Sequence, residues 1–284
     1  MENFLKKVDR IIKQDPGKRN LITSSTVNPL SDVISSLVDA QHIVITTGFF
    51  IIDAMAIETD GPPGAILLAN ALLECGFDVT FVVENHAEEI IKAGFQCFDN
   101  SPEYIFLDPK GKYEYFDIIK ENTTHFISIE RPGISVHGLN FNHRGIDISN
   151  YHYSLDSIFS EAQENDITTI AIGDGGNEMG LGNEYTEIAK RIANGIDICT
   201  ITKSDYPIYA GVSNWACYGI VTILTKVYKK DLHLSRENIL CVLNKIVEKG
   251  SVDGISKMNT KTVDGLPLNY EVEVLENLIK LNQQ

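Results

Sequence analysis

The stretch IAIGDGGNEMGLG, residues 170–182, joins an apolar run to a turn crowded with glycine and acid. Thr168 to Ile172 predicts a buried strand, and Asn177 to Ala193 a helix after the turn. Gly173, Gly175 and Gly176 allow positive φ and close approach of backbone to a ligand. Asp174, Asn177 and Glu178 place two carboxylates and an amide at the same turn. In open α/β sheets, the carboxyl end of a strand that feeds a helix is where ligands bind. The segment therefore predicts a small-molecule site in an α/β fold.

Working outward, the same alternation recurs. Helices are expected at 3–14 and 31–40, with Asp15, Pro16 and Gly17 stopping the first. A strand follows at 42–50, then DGPPG (60–64) and an apolar helix from Ala65 to Cys75. Strands at 78–83, 104–107 and 124–129 are separated by a helix at 88–93 and a longer connection. A helix at 155–164 precedes the strand of the acidic turn. Ile198 to Thr202 and Tyr206 to Ala210 are expected as two short strands. Helices at 213–228, 235–249 and 270–282 close the chain. Strands separated by helices predict an α/β fold: a mostly parallel open sheet, helices on both faces, three layers. The whole of 1–284 reads as one α/β domain, with 1–40 a helical lead-in and 235–284 C-terminal helices. The loop 132–153 is long enough to expect a function of it.

Composition narrows the function. A net charge of −15 argues against a nucleic-acid surface, which needs clustered Lys and Arg. No apolar run is long enough to span a membrane, and the amphipathic N-terminus does not read as a secretory signal. The five cysteines, with no CxxC, point to reduced thiols in a cytoplasmic protein and to no zinc site. A GxGxxG dinucleotide turn and a P-loop are both missing, so NAD is not expected, and nothing calls for haem. The expected partner is a small molecule. The oligomeric state is open, a homo-oligomer included.

Several strands end in polar residues that a parallel sheet would gather on one edge. Asp60, Gly61 and Gly64 open a helix. Asp60 reads either as its cap or, with the glycine amides, as part of an anion cradle. Glu130 and Arg131 follow the strand 124–129. They read as an ion pair bracing the loop, or as a base beside a guanidinium that forks onto a substrate carboxylate. Asp174 and Glu178 read as helix-capping acids or as ligands for Mg²⁺ or Mn²⁺. In the long loop, His143 beside Arg144 is the histidine to test first. Ser213 and Asn214 start the long apolar helix, as a cap or as groups facing the cleft. Asp264, in a second acidic turn, is within conceivable reach.

Taken together, TGF (47–49), TDGPPGA (59–65), SIERPG (128–133), NHRGIDIS (142–149), IGDGGNEMG (172–180), AGVSNW (210–215) and TVDGL (262–266) resemble the D-glutamate cyclase C-terminal domain family, in the family's order and over nearly the whole chain. The resemblance implies a lyase converting D-glutamate to 5-oxo-D-proline and water. The animal enzymes carry, in addition, an N-terminal domain similar to hydro-lyases, with no counterpart in these residues. The expected mechanism has Arg131 and the Gly61–Gly64 amides holding the α-carboxylate, Asp174 and Glu178 holding a divalent cation or a shared proton, and Glu130 as base. Asn177, His143, Arg144, Ser213 and Asn214 complete the expected substrate contacts. Two other readings stand beside this one. The first is a metal-dependent enzyme acting on another small carboxylate or a phosphorylated metabolite. The second is a non-catalytic amino-acid-binding module.

Overall fold

The computed structural model describes residues 1–23 and 26–283. The strands are β1 (His42–Thr47), β2 (Phe50–Ile51), β3 (Ala56–Ile57), β4 (Asp78–Glu84), β5 (Glu103–Leu107), β6 (Thr123–Ile129), β7 (Thr168–Gly173) and β8 (Tyr206–Tyr209). The helices are α1 (Glu2–Ile12), α2 (Leu30–Val38), α3 (Pro62–Glu74), α4 (Glu88–Phe95), α5 (Tyr115–Ile118), α6 (Asp156–Glu164), α7 (Tyr185–Arg191), α8 (Gly195–Ile198), α9 (Ser213–Tyr228), α10 (Arg236–Glu248) and α11 (Leu268–Asn282).

Six strands form one parallel sheet in the order β5-β4-β1-β6-β7-β8. This is the doubly wound order of dinucleotide-binding domains, with its switch point between β1 and β6. Strand β1, HIVITT, is buried along its whole length, as a central parallel strand covered on both faces must be. Alternate side chains feed opposite layers. Ile43, Ile45, Phe81 and Ile127 join the larger core under α3, α9 and α10, while Val44, Val82 and Phe126 join a second core with Ile158 and Phe159 of α6. The result is a three-layer α/β fold.

Four expectations are corrected. The strand at 42–50 breaks at Thr47, and Phe50–Ile51 pairs with Ala56–Ile57 in a separate hairpin. Gly48, at φ +108, makes that break. The helix expected from Asn177 begins only at Tyr185, after a single tight turn at Gly182–Glu184. Residues 177–181 instead make a turn, closed by Leu181 N–H on the Glu178 carbonyl, between two isolated bridges, Glu178 with Pro132 and Leu181 with Lys203. Met179 N–H donates to the Arg131 carbonyl, and Gly133 N–H to that of Asn177. Residues 199–202 do not form a strand, because the N–H groups of Thr200 and Ile201 bond to Gly176 and Ile134 in neighbouring loops. Finally, Cys97 and Cys241 are joined in a disulfide, while Cys75, Cys199 and Cys217 are free. Gly94 explains the meeting of α4 and α10. A Cβ there would lie 2.4 Å from Ile66 and 3.2 Å from Ile246, so its absence lets the helices close and brings the two cysteines to a Cα separation of 6.0 Å. Among the described residues, no helix is long and apolar enough to cross a membrane.

Candidate active site

Asp60, Glu130 and Asp174 come from three separate connections, before α3, after β6 and after β7. Each offers an oxygen within 4.8 Å of the others, and all three are buried. They sit at the carboxyl edge of the sheet beside its switch point, where the doubly wound fold opens a crevice.

The chain holds each acid differently. Asp60 accepts from the N–H groups of Gly61 (2.8 Å), Ser213 (2.9 Å) and Asn214 (2.9 Å), so it caps α9 from outside that helix. Glu130 accepts the Ser213 hydroxyl at 2.5 Å and takes a left-handed φ of +42. Such a backbone in a non-glycine residue costs on the order of 1 kcal/mol and gathers at functional sites. Gly61 (φ +92) is required opposite it, since a Cβ there would lie 2.6 Å from Glu130 Cβ and 2.8 Å from Thr47 Oγ1. Asp174 accepts no hydrogen bond at either oxygen, although Arg19 Nη1 stands 3.1 Å from Oδ1.

Glu58, Glu178 and Asp264 border the same cavity of about 40 Å³, as do Glu130 and Arg19. With Asp60 and Asp174 this makes six carboxyl groups about Arg19, while Arg144 and Lys257 on the cavity lining are both paired with Asp53. Full ionisation of such a cluster is unfavourable in a poorly solvated site. Burial first, then repulsion from Glu178, Asp174, Asp60 and Glu58, raises Glu130 well above the carboxylate range. Burial with Asp264 and Asp60 does the same to Glu58, and burial with Asp264 to Asp60. Asp174 is also raised by burial, against the pull of Arg19. Burial opposes charge on Arg19, but Asp174 and Asp264 outweigh it and keep the guanidinium protonated. Arg19 Nη2 bonds Asp264 at 2.6 Å.

Several expected roles change. Both oxygens of Glu178 accept from the turn it belongs to, at Gly175 (2.8 Å) and Gly176 (2.7 Å), so it braces the glycine loop, and among the described residues the oxygens that converge with those of Asp174 are those of Asp60 and Glu130. The N–H groups of Gly61 and Gly64 donate to Asn214 Oδ1 at 3.1 and 2.8 Å, so they form no anion cradle. Arg131 is 1% exposed and makes a two-point ion pair with Glu84, at 3.1 and 2.5 Å, plus a bond to the Tyr153 carbonyl. Its fork is thus occupied, and it does not border the cavity. Arg144 reaches Asp53 at 2.6 Å on the rim. Asn177 borders the cavity and donates to the Phe141 carbonyl. His143 also borders it, and burial, with Arg19 and Arg144 nearby, lowers its pKa and keeps it neutral.

Sequence reasoning missed Arg19 and Glu58. Arg19 lies in a turn with no periodic signal, and its partners are more than a hundred residues away. Glu58 was visible in principle. It stands two residues before Asp60 in extended chain, where alternate side chains share a side.

Fold and site define a class: a doubly wound α/β protein with a buried polycarboxylate centre at its switch point. The chain belongs to the D-glutamate cyclase-like C-terminal family, whose model matches residues 8–279. It is similar to human mitochondrial D-glutamate cyclase, with 26% identity over 323 residues covering 97% of this chain and 51% of that protein. The chain thus spans about half the length of that relative.

Proposed function

We propose that the chain is a D-glutamate cyclase-like lyase that forms 5-oxo-D-proline and water from D-glutamate. The observation that carries this reading is the meeting of Asp60, Glu130 and Asp174 beside the partly buried Arg19, in a chain of this family.

The reaction forms a bond from the α-nitrogen to the γ-carboxyl carbon and breaks one carbon–oxygen bond. Two protons leave the ammonium group, and two reach the departing oxygen, which becomes water. Glu130 suits this traffic. Its pKa, raised by burial and by Glu178 and Asp174, keeps a proton to give above the usual carboxylate range, and the carboxylate left behind takes one from nitrogen. The Ser213 hydroxyl fixes which Glu130 oxygen is engaged. Arg19 supplies positive charge where oxygen becomes negative in the tetrahedral state. The rim, with His143 and Asn177, orients the substrate in a curled form, so attack is intramolecular and pre-aligned.

The donor set also fits a divalent cation. The two Asp174 oxygens lack hydrogen-bond donors, and Asp60 stands beside them. Mg²⁺ or Mn²⁺ would be held by Asp60 and Asp174 with water in the other positions. Bound there, the ion would polarise the γ-carboxylate.

The test is purified protein incubated with D-glutamate, with and without Mn²⁺, and 5-oxoproline measured by chromatography. No 5-oxoproline under either condition sinks the proposal.

A further inference from the structure

The inner cavity, at about 40 Å³, holds a few waters but not an amino acid the size of glutamate. Immediately outside lies a cleft of about 390 Å³, a size common for small-molecule sites. Arg19, His143, Ile255 and Asp264 border both spaces, so they form the wall between them. Arg19, with 24% of its side chain exposed, faces acids on one side and the open cleft on the other.

A dicarboxylate approaching six acids in a chain of net charge −15 needs a cation outside the acidic centre. Arg131 is locked to Glu84, Arg144 and Lys257 are joined to Asp53, and Arg19 is held by Asp174 and Asp264. Arg191 lies on the cleft wall, in the last turn of α7. Its Nε donates to the Glu187 carbonyl at 3.2 Å, which orients the side chain. Among the described residues, its terminal nitrogens have no carboxylate partner. They offer the two-point fork that suits a carboxylate.

We propose that the outer cleft is the binding subsite for the α-carboxylate of the amino-acid substrate. Arg191 is its specificity-determining cation, and the γ-carboxyl points past Arg19 into the acidic cavity. This rests on the cyclase reading for the identity of the substrate, but not for the carboxylate chemistry of the cleft. In this arrangement Arg191 takes the carboxylate-binding role that Arg131, paired with Glu84, leaves open.

The experiment compares the full chain with Arg191→Met, Arg191→Lys and the remote charge control Arg236→Met. It uses D-glutamate kinetics, calorimetric binding of glutarate and thermal melting. Loss of the fork should raise KM about tenfold or more and leave kcat within about threefold, because it removes binding common to ground and transition states. Arg191→Lys should recover part of the loss, and Arg236→Met should match the parent. An unchanged KM in Arg191→Met, with the parent active, overturns the subsite and leaves the cyclase reading standing. If the parent does not turn over D-glutamate, the cyclase reading fails, and glutarate binding then decides. Binding weakened about tenfold by Arg191→Met sustains the subsite. Binding indifferent to Arg191, or no binding by the parent, overturns it.

Discussion

Asp60 and Asn214 cap each other's helices. Asp60 accepts the N–H groups of Ser213 and Asn214 at the start of α9, while Asn214 Oδ1 accepts those of Gly61 and Gly64 at the start of α3. Two helix N-termini, with their partial positive charge, are thereby fixed against the acidic centre. Asn214→Ala should leave the buried Gly64 N–H unpaired, while Gly61 N–H keeps its bond to Asp60, and lower stability by about 1–3 kcal/mol. Chemical denaturation of the variant checks this. An unchanged midpoint would mean the reciprocal caps contribute nothing measurable.

Glu130→Gln keeps an acceptor for Ser213 and removes the titrating group. Activity on D-glutamate should fall by about 10²–10⁴ in kcat. The melting temperature should hold or rise, since repulsion with Glu178 and Asp174 is relieved. A parallel loss of activity and stability would show that Glu130 is only structural.

Stability should depend on pH in an inverted sense. Glu58, Asp60, Glu130, Asp174 and Glu178 have raised pKa values, so the folded state keeps protons that the unfolded state releases. Their contribution is full below the ordinary carboxylate pKa and is lost as pH rises through the folded values. Burial pushes Glu271 from 4.5 to about 7, so its share disappears over that interval. Glu84 acts oppositely. Burial opposes its charge, but Arg131 holds it well below the usual range, and its contribution is lost as pH falls. Calorimetric scans should therefore show greatest stability on the acid side of neutrality. Mn²⁺ should raise the melting temperature more at about pH 8 than at about pH 5, where protons compete for the same oxygens. An equal or larger gain at the lower pH would count against a cation held by Asp60 and Asp174.

The Cys97–Cys241 disulfide closes a long loop, with a sequence separation of 144. Loop entropy predicts that its removal costs about 2–5 kcal/mol. The measurement is denaturation of the Cys97→Ser, Cys241→Ser double variant against the oxidised parent. Mass spectrometry of alkylated protein checks that the bond forms. Two alkylated thiols at these positions in unreduced protein would refute it.

The sheet was legible because strand and helix are written in local periodicity. Runs such as HIVITT and TTIAI, separated by amphipathic segments, leave little choice but parallel crossovers. The acidic ends of those strands were legible too, since a parallel sheet puts its carboxyl ends on one edge. The late start of α7 was not. Its cause is a carboxylate, Glu178, folding back onto Gly175 and Gly176, and helix propensity cannot foresee that.

By itself, then, the amino-acid order determined the α/β class and the convergence of Asp60, Glu130 and Asp174. Only the tertiary structure decided which polar group satisfies which. It gave Arg131 to Glu84, Arg19 to Asp174 and Asp264, and the Gly61 and Gly64 amides to Asn214. The physical reason is range. Apolar patterning acts over a few residues, whereas a buried donor takes whichever acceptor packing brings within about 3 Å, however distant along the chain.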